Sequence, residues 1–305
     1  LKQGMDVATR MHSPWARLLA AGSTTLAQHA HRITFTPRLL WSPRCQRGLL
    51  TPASGNARNQ SSLAVSEKEK ESATIRIALE GNIAAGKSTY LDIVRRKYRV
   101  TCVDEPVGKW QNVSSQGGKP VGGNLLDLFY KDPNRWAYTF QSYAFLSRME
   151  AHLEALQNNE AEVLVMERSI HSDKHIFATN CWRSGLFNEV EWSIYCEWQR
   201  WILARFDAGT GIHGLVYLRT RPETCLARLQ KRGRKEEDTI PLQYLQELHE
   251  RHEEWLIEQT VAERMPPVLV LDCDSDFHEG EEKCEELLAQ TKEFIDGLRE
   301  QKSRG

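Results

Sequence analysis

Nine residues, Gly81-Asn82-Ile83-Ala84-Ala85-Gly86-Lys87-Ser88-Thr89, constrain this 305-residue chain more than any other segment. They spell G-x-x-x-x-G-K-[ST] between a β-rich apolar run, Ile75–Leu79, and a stretch of helical periodicity. That strand-to-helix setting is the one a phosphate-binding loop requires. At about 7% glycine usage, such a match arises by chance in a chain of this length on the order of once in a hundred. The glycines let backbone N–H groups turn towards β- and γ-phosphates, and the following helix N-terminus adds its partial positive charge. Lys87 is placed to bridge phosphates, and the Ser88 hydroxyl to ligate Mg²⁺. The loop specifies a nucleoside triphosphate but not a reaction. A GTPase would add N-K-x-D and D-x-x-G, and the chain contains neither. ATPase motors, small-molecule kinases and regulatory nucleotide binders stay open; a folded part of roughly 230 residues suits a single-domain kinase.

Further apolar runs follow at Val100–Val103, Val163–Met166, Gly214–Leu218 and Val268–Leu271. Helical stretches separate them, among them Leu125–Tyr130, Trp136–Leu156 and Glu189–Phe206. Five strands alternating with helices predict an α/β domain with a mostly parallel sheet over residues 74–305. On the Glu189–Phe206 helix, Trp192, Tyr195, Trp198, Trp201 and Ile202 recur at three- and four-residue steps, a stripe that suits core or a subunit interface.

Of 40 basic and 41 acidic residues, eight basic and one acidic fall in residues 1–60, so the remainder carries a net charge of about −8. An acidic body argues against bulk nucleic-acid binding, which needs a basic face. No stretch reaches the roughly 18 apolar residues of a membrane span. Residues 1–60 are rich in Arg, Ser, Thr and Ala, and Trp15–Leu19 allows a short basic amphipathic helix. They read as a mitochondrial transit peptide, with import into the matrix expected; a disordered basic tail has the same composition. Residues 61–73 read as a charged linker. Seven scattered cysteines form no C-x-x-C pair and no zinc spacing, in keeping with a reducing compartment.

Strand ends supply the candidate chemistry, because open α/β sheets bind ligands there. The second strand ends in Asp104-Glu105, where Glu105 is placed to accept a hydroxyl proton. The third ends in Glu167-Arg168-Ser169: Glu167 suits Mg²⁺ or its waters, and Arg168 suits developing charge. After the fourth come Arg228, Lys231, Arg232 and Arg234, a basic helix end that reads either as a lid over phosphates or as a solvated face.

Taken together, these residues resemble the deoxyribonucleoside kinase family, over about Thr74 to Phe294. The likeness rests on Glu80 to Thr89, Glu105-Pro106-Val107, Tyr130, Arg135-Trp136, Phe140-Gln141, Glu167-Arg168-Ser169, the lid arginines and Ile240-Pro241-Leu242, in that order. The resemblance implies a P-loop kinase fold, with a five-stranded parallel sheet flanked by helices and an Arg-rich lid. It also implies a homodimer, and ATP with Mg²⁺ transferring a γ-phosphoryl group to a deoxyribonucleoside in nucleotide salvage. By resemblance, Glu105 is the general base on the 5′-hydroxyl, with Arg168 and Lys87 beside the transfer and Ser88 and Glu167 serving Mg²⁺. Tyr130 and Glu237 meet the 3′-hydroxyl, Gln141 pairs with the base edge, and Trp110, Phe140 and Phe177 wall the base. Arg228, Arg232 and Arg234 belong to the lid.

Ala144, Arg148 and Asp173 resemble the deoxycytidine and deoxyguanosine kinases at the positions that line the base. Deoxyguanosine, deoxycytidine and deoxyadenosine are therefore expected to be favoured over thymidine, whose methyl fits poorly beside Arg148. Ile170-His171-Ser172, in contrast, resembles the thymidine-type members. The competing readings are a broad-specificity or thymidine-preferring kinase, a nucleoside monophosphate kinase, and a P-loop binding module without catalysis.

Overall fold

The computed structural model describes residues 74–114, 120–206, 211–259 and 265–304; the expected leader (1–60) and linker (61–73) lie outside them. In chain order the elements begin with β1 (Ile75–Glu80), α1 (Lys87–Lys97), β2 (Thr101–Val103), α2 (Val107–Gln111), β3 (Val113–Ser114) and β4 (Pro120–Gly123). Next come α3 (Leu125–Lys131), α4 (Pro133–Gln157), β5 (Val163–Glu167) and α5 (Ile170–Ser172). From α5 the chain runs through a π-helical turn, Asp173–Ala178, into α6 (Thr179–Arg183), and then α7 (Glu189–Arg205). The last elements are β6 (Gly214–Arg219), α8 (Pro222–Arg232), α9 (Leu242–His252), β7 (Val268–Asp272) and α10 (Glu282–Arg304).

The five expected strands form one parallel sheet in the order β2-β5-β1-β6-β7. Its central strands are nearly all apolar because helices cover both faces, and their alternating side chains divide between two cores. Ile75, Ile77 and Leu79 of β1, with Val216 and Leu218 of β6, face Leu91, Val94, Leu287 and Leu288 of α1 and α10. Ala78, Leu215 and Tyr217 face the other way, towards the core that includes Phe129, Phe140 and Leu245. From β1 the chain builds outwards to β2 and β5 on one side, then crosses from β5 to β6 and β7 on the other, so the crevice at the carboxyl ends opens beside β1. The sequence reading missed the antiparallel β3–β4 hairpin, whose two-residue first strand carries no periodic signal.

Start signals are local. Asp132 and Asn188 cap α4 and α7 through their side chains, and Pro133 and Pro222 occupy the first turns of α4 and α8. The tryptophan stripe of α7 divides: Tyr195 and Gln199 are buried, Trp192 and Trp198 pack partly against the core, and Trp201 is 62% exposed.

Candidate active site

β1 delivers the chain into the loop at 81–89 in a backbone path that only certain residues follow. Gly81 has φ +146°, and a Cβ there would lie 2.9 Å from the Leu218 carbonyl oxygen. Gly86 has φ +100° and lies against the Phe277 ring. Ala84 also takes a left-handed conformation, φ 60°. The first turn of α1 has no acidic residue and no capping side chain, which leaves its amides for an anion. Asn82 braces the loop, donating through Nδ2 to the Leu245 carbonyl at 2.8 Å and accepting from the Ile83 N–H at 2.8 Å. Lys87 is buried and donates to the carbonyls of Gly81 and Asn82 at 3.1 and 2.6 Å. Burial first, and then the like charge of Arg168, bring its ammonium down to about 7.

The loop opens onto a cavity of about 680 Å³. Of the loop, Ile83, Ala84, Gly86, Lys87, Ser88 and Thr89 line it; Gly81, Asn82 and Ala85 are buried behind them. Glu105, Glu167 and Arg168 arrive from the ends of β2 and β5, 63 residues apart for Glu105 and Arg168. Arg168 spans Glu105 through Nη1 at 2.7 and 2.8 Å, and Arg148 from α4 donates to the same carboxylate at 2.8 Å. Burial opposes ionisation of Glu105, yet Arg168, Arg148 and Lys87 together hold its carboxyl down to about 2. Arg148 also donates to Asp173 Oδ2 at 2.9 Å and to the Glu167 carbonyl at 3.2 Å. Burial raises the Asp173 carboxyl above its usual range, a rise that the Arg148 guanidinium offsets only in part. The result is one buried chain of charges, Asp173–Arg148–Glu105–Arg168.

Around this chain stand the aromatic residues. Phe140 stacks on Phe129 at 4.7 Å and meets Trp110 edge-on at 5.5 Å, while the Trp110 indole N–H donates to Ser147 Oγ at 2.8 Å. Arg168 lies 4.9 Å over the Phe177 ring. Tyr130, Gln141 and Ala144 complete this end. Burial, with Glu237 nearby, raises the Tyr130 phenol, so it stays neutral. Gln141 donates to the Cys181 sulfur at 3.7 Å.

Ser88 donates to Glu167 Oε1 at 3.0 Å, which puts a hydroxyl and a carboxylate side by side at the loop. Opposite, Arg228, Arg232 and Arg234 all line the cavity. Arg228 is tied to Asp276 at 3.0 Å and to the carbonyls of Cys273 and Ser275. Arg232 and Arg234 both pair with the buried Glu237, the latter at 2.9 Å. His171 lies on α5, outside the cavity lining. The sequence reading did not single out Asp276, Phe277 and His278, which follow β7 and also line the cavity. The strand-end rule that found Glu105 and Glu167 points to them too.

A phosphate loop, a strand-end carboxylate held by two arginines and a basic helix end over one cavity define a P-loop phosphotransferase. Comparison with known proteins gives the family. The deoxynucleoside kinase model matches residues 77–296. Human deoxycytidine kinase is 42% identical over 241 residues, covering 73% of this chain and 92% of that protein. Deoxycytidine kinase 1 of Xenopus laevis is 42% identical over 241 residues (73% and 91%), and mitochondrial deoxyguanosine kinase of Xenopus laevis 39% over 245 (75% and 92%). The chain belongs to the deoxynucleoside kinase family and is a phosphotransferase of nucleoside salvage.

Proposed function

We propose that this kinase transfers the γ-phosphoryl group of ATP to the 5′-hydroxyl of deoxyguanosine, deoxycytidine or deoxyadenosine, with thymidine the poorer acceptor. The observation that carries the reading is Arg148, which is bonded at once to Asp173 and to Glu105. The group suited to a base edge and the group suited to the hydroxyl thus form one unit. A base offering complementary polar atoms bonds to Arg148 and Asp173, whereas the thymine methyl meets a guanidinium and leaves polar groups unpaired, at about 1–3 kcal/mol each.

In this reading Glu105 orients the 5′-hydroxyl and accepts its proton as transfer completes, and Arg168 keeps the carboxylate aimed. Tyr130 and Glu237 hold the 3′-hydroxyl, Gln141 pairs with the base, and Trp110, Phe140 and Phe177 enclose it. Lys87, Arg228, Arg232 and Arg234 neutralise the triphosphate. Phosphoryl transfer asks the protein mainly for this positioning and neutralisation. Mg²⁺ would be held by Ser88 and Glu167. Two adjacent oxygen donors fit a hard cation that takes its other ligands from phosphates and water, and the ion would supply charge neutralisation between the phosphates. The test is transfer from ATP by the full chain to each of the four deoxynucleosides in turn. Deoxyguanosine, deoxycytidine and deoxyadenosine should outpace thymidine; thymidine in the lead would reverse the base assignment.

The basic, acid-poor residues 1–60 support delivery to the mitochondrial matrix, and deleting them should abolish import while sparing turnover. The homodimer reading is supported by exposed apolar side chains on α4 (Leu146), on α7 (Val190, Ile194 and Trp201) and just after α7 (Phe206). Among the described residues no helix is long and apolar enough to cross a membrane.

A further inference from the structure

Glu80, the last residue of β1, is fully buried, and no step above uses it. Its Oε1 accepts the Ser169 N–H at 3.0 Å and the Ser169 hydroxyl at 2.6 Å. Its Oε2 has no hydrogen-bond partner among the described residues. Burial pushes its carboxyl up to about 7, against the lowering effect of the Ser169 bonds, Arg168 and Arg148. A carboxylate so placed is costly to keep, and an apolar side chain would fill the same volume more cheaply.

The neighbour it grips is unusual. Arg168 precedes Ser169 and sits at φ 63°, a conformation that a non-glycine residue keeps only where its surroundings hold it. Three consecutive residues at the end of β1 do the holding. The Leu79 carbonyl accepts the Arg168 N–H at 2.8 Å, the Glu80 carboxylate accepts Ser169, and the Gly81 carbonyl accepts Arg168 Nη2 at 3.3 Å. Ser169 in turn caps α5 through a reciprocal bond with Ser172.

We propose that Glu80 is a positioning residue for phosphoryl transfer: it clamps the Glu167–Ser169 turn onto the edge of the phosphate loop. The clamp sets Arg168 towards Glu105 and Glu167 beside Ser88, acting through Ser169 without touching either substrate. The inference rests on the reading of Glu105 and Arg168 as the groups that meet the acceptor hydroxyl.

In the full chain, Glu80→Ala, Glu80→Gln, Ser169→Ala and the Glu80→Ala/Ser169→Ala pair are compared for kcat, both KM values and thermal midpoint. Glu80→Gln keeps an acceptor oxygen for Ser169 and should stay within about threefold of the parent. Glu80→Ala should lower kcat about ten- to a hundredfold, the scale of a misplacement near 1 Å, with the KM for ATP little moved. The double variant should lose clearly less than the two single losses combined, because the Ser169 hydroxyl bond to Glu80 is common to both, although Ser169→Ala also removes the cap of α5. Equal losses for Gln and Ala, a loss confined to KM, or additive effects would each overturn the clamp. If Glu80→Ala does not fold, Ser169→Ala decides by the same split of kcat against KM. Arg168→Ala separates the two levels: if it turns over normally, the site reading itself fails, whereas an inactive Arg168→Ala beside a normal Glu80→Ala sinks only the clamp.

Discussion

At the acceptor end of the cavity, the side chains of Arg148 and Arg168 are 2% and 5% exposed, and each is bonded to a carboxylate that the fold itself supplies. At the lid end, Arg228, Arg232 and Arg234 are 17%, 36% and 32% exposed, and their carboxylate partners lie in the turn just after α8 or on the loop after β7. Each lid pair keeps one member in reach of solvent: Asp276 in one pair, the arginine in the two made with the buried Glu237. Solvent weakens such contacts, so these guanidiniums are more readily recruited by a triphosphate. Breaking a buried pair costs about 3–5 kcal/mol, so that network keeps its shape. The acceptor end therefore suits a neutral nucleoside that must be oriented. The lid end suits a polyanion that must be neutralised on arrival.

The strongest challenge to this contrast is Glu105→Gln, which should cut kcat by about 10²–10⁴ while ATP binding by calorimetry stays nearly unchanged. Normal turnover would mean that the acceptor end only shapes the pocket. Next in size, Arg148→Met should lose about 3–5 kcal/mol of stability, because Asp173 stays buried without its cation. Adding Asp173→Ala should restore much of that loss in chemical denaturation and should raise thymidine use relative to deoxyguanosine about tenfold or more. An unchanged ratio would detach Arg148 from base choice. At the lid, Arg234→Ala should lower kcat/KM by roughly 10- to 100-fold, the scale of a lost charged hydrogen bond, with little change in thermal midpoint. A large stability loss there would erase the difference between the two ends.

The smallest effect concerns Lys87, whose ammonium is brought down to about 7 by burial and Arg168. Phosphate oxygens favour the charged form, so nucleotide binding raises that value. At pH 8 the free side chain is mostly neutral, and binding should take up a fraction of a proton; at pH 6 it is already charged, and uptake should vanish. Calorimetry in buffers of different ionisation enthalpy measures the difference, and uptake independent of pH would exclude Lys87 as its source.

Particular elements show why some of this was legible in the residues alone. The phosphate loop is one continuous segment whose geometry depends on glycines at 81 and 86 and on the strand and helix that flank it, all local properties. The strand-end carboxylates Glu105 and Glu167 followed from apolar runs and the rule that parallel sheets bind at their carboxyl edge. The π-helical turn at Asp173–Ala178 was not visible, since one widened turn barely alters apolar periodicity; Asp173 and Phe177, which it carries, both line the cavity. The loop after β7 was passed over because Asp276, Phe277 and His278 match no motif.

The sequence by itself determined the phosphate loop, the five-stranded α/β plan and the set of ionisable residues near the crevice, because each is written within one turn, strand or helix. Only the tertiary structure decided which charge meets which. Arg148 lies 43 residues from Glu105 and 25 from Asp173, and packing of α4 beside the sheet is what joins them. Glu80 lies 89 residues from the Ser169 it grips. Such pairings have no local signature: they depend on strand order and helix packing, and it is burial at the contact that gives each pair its energetic weight.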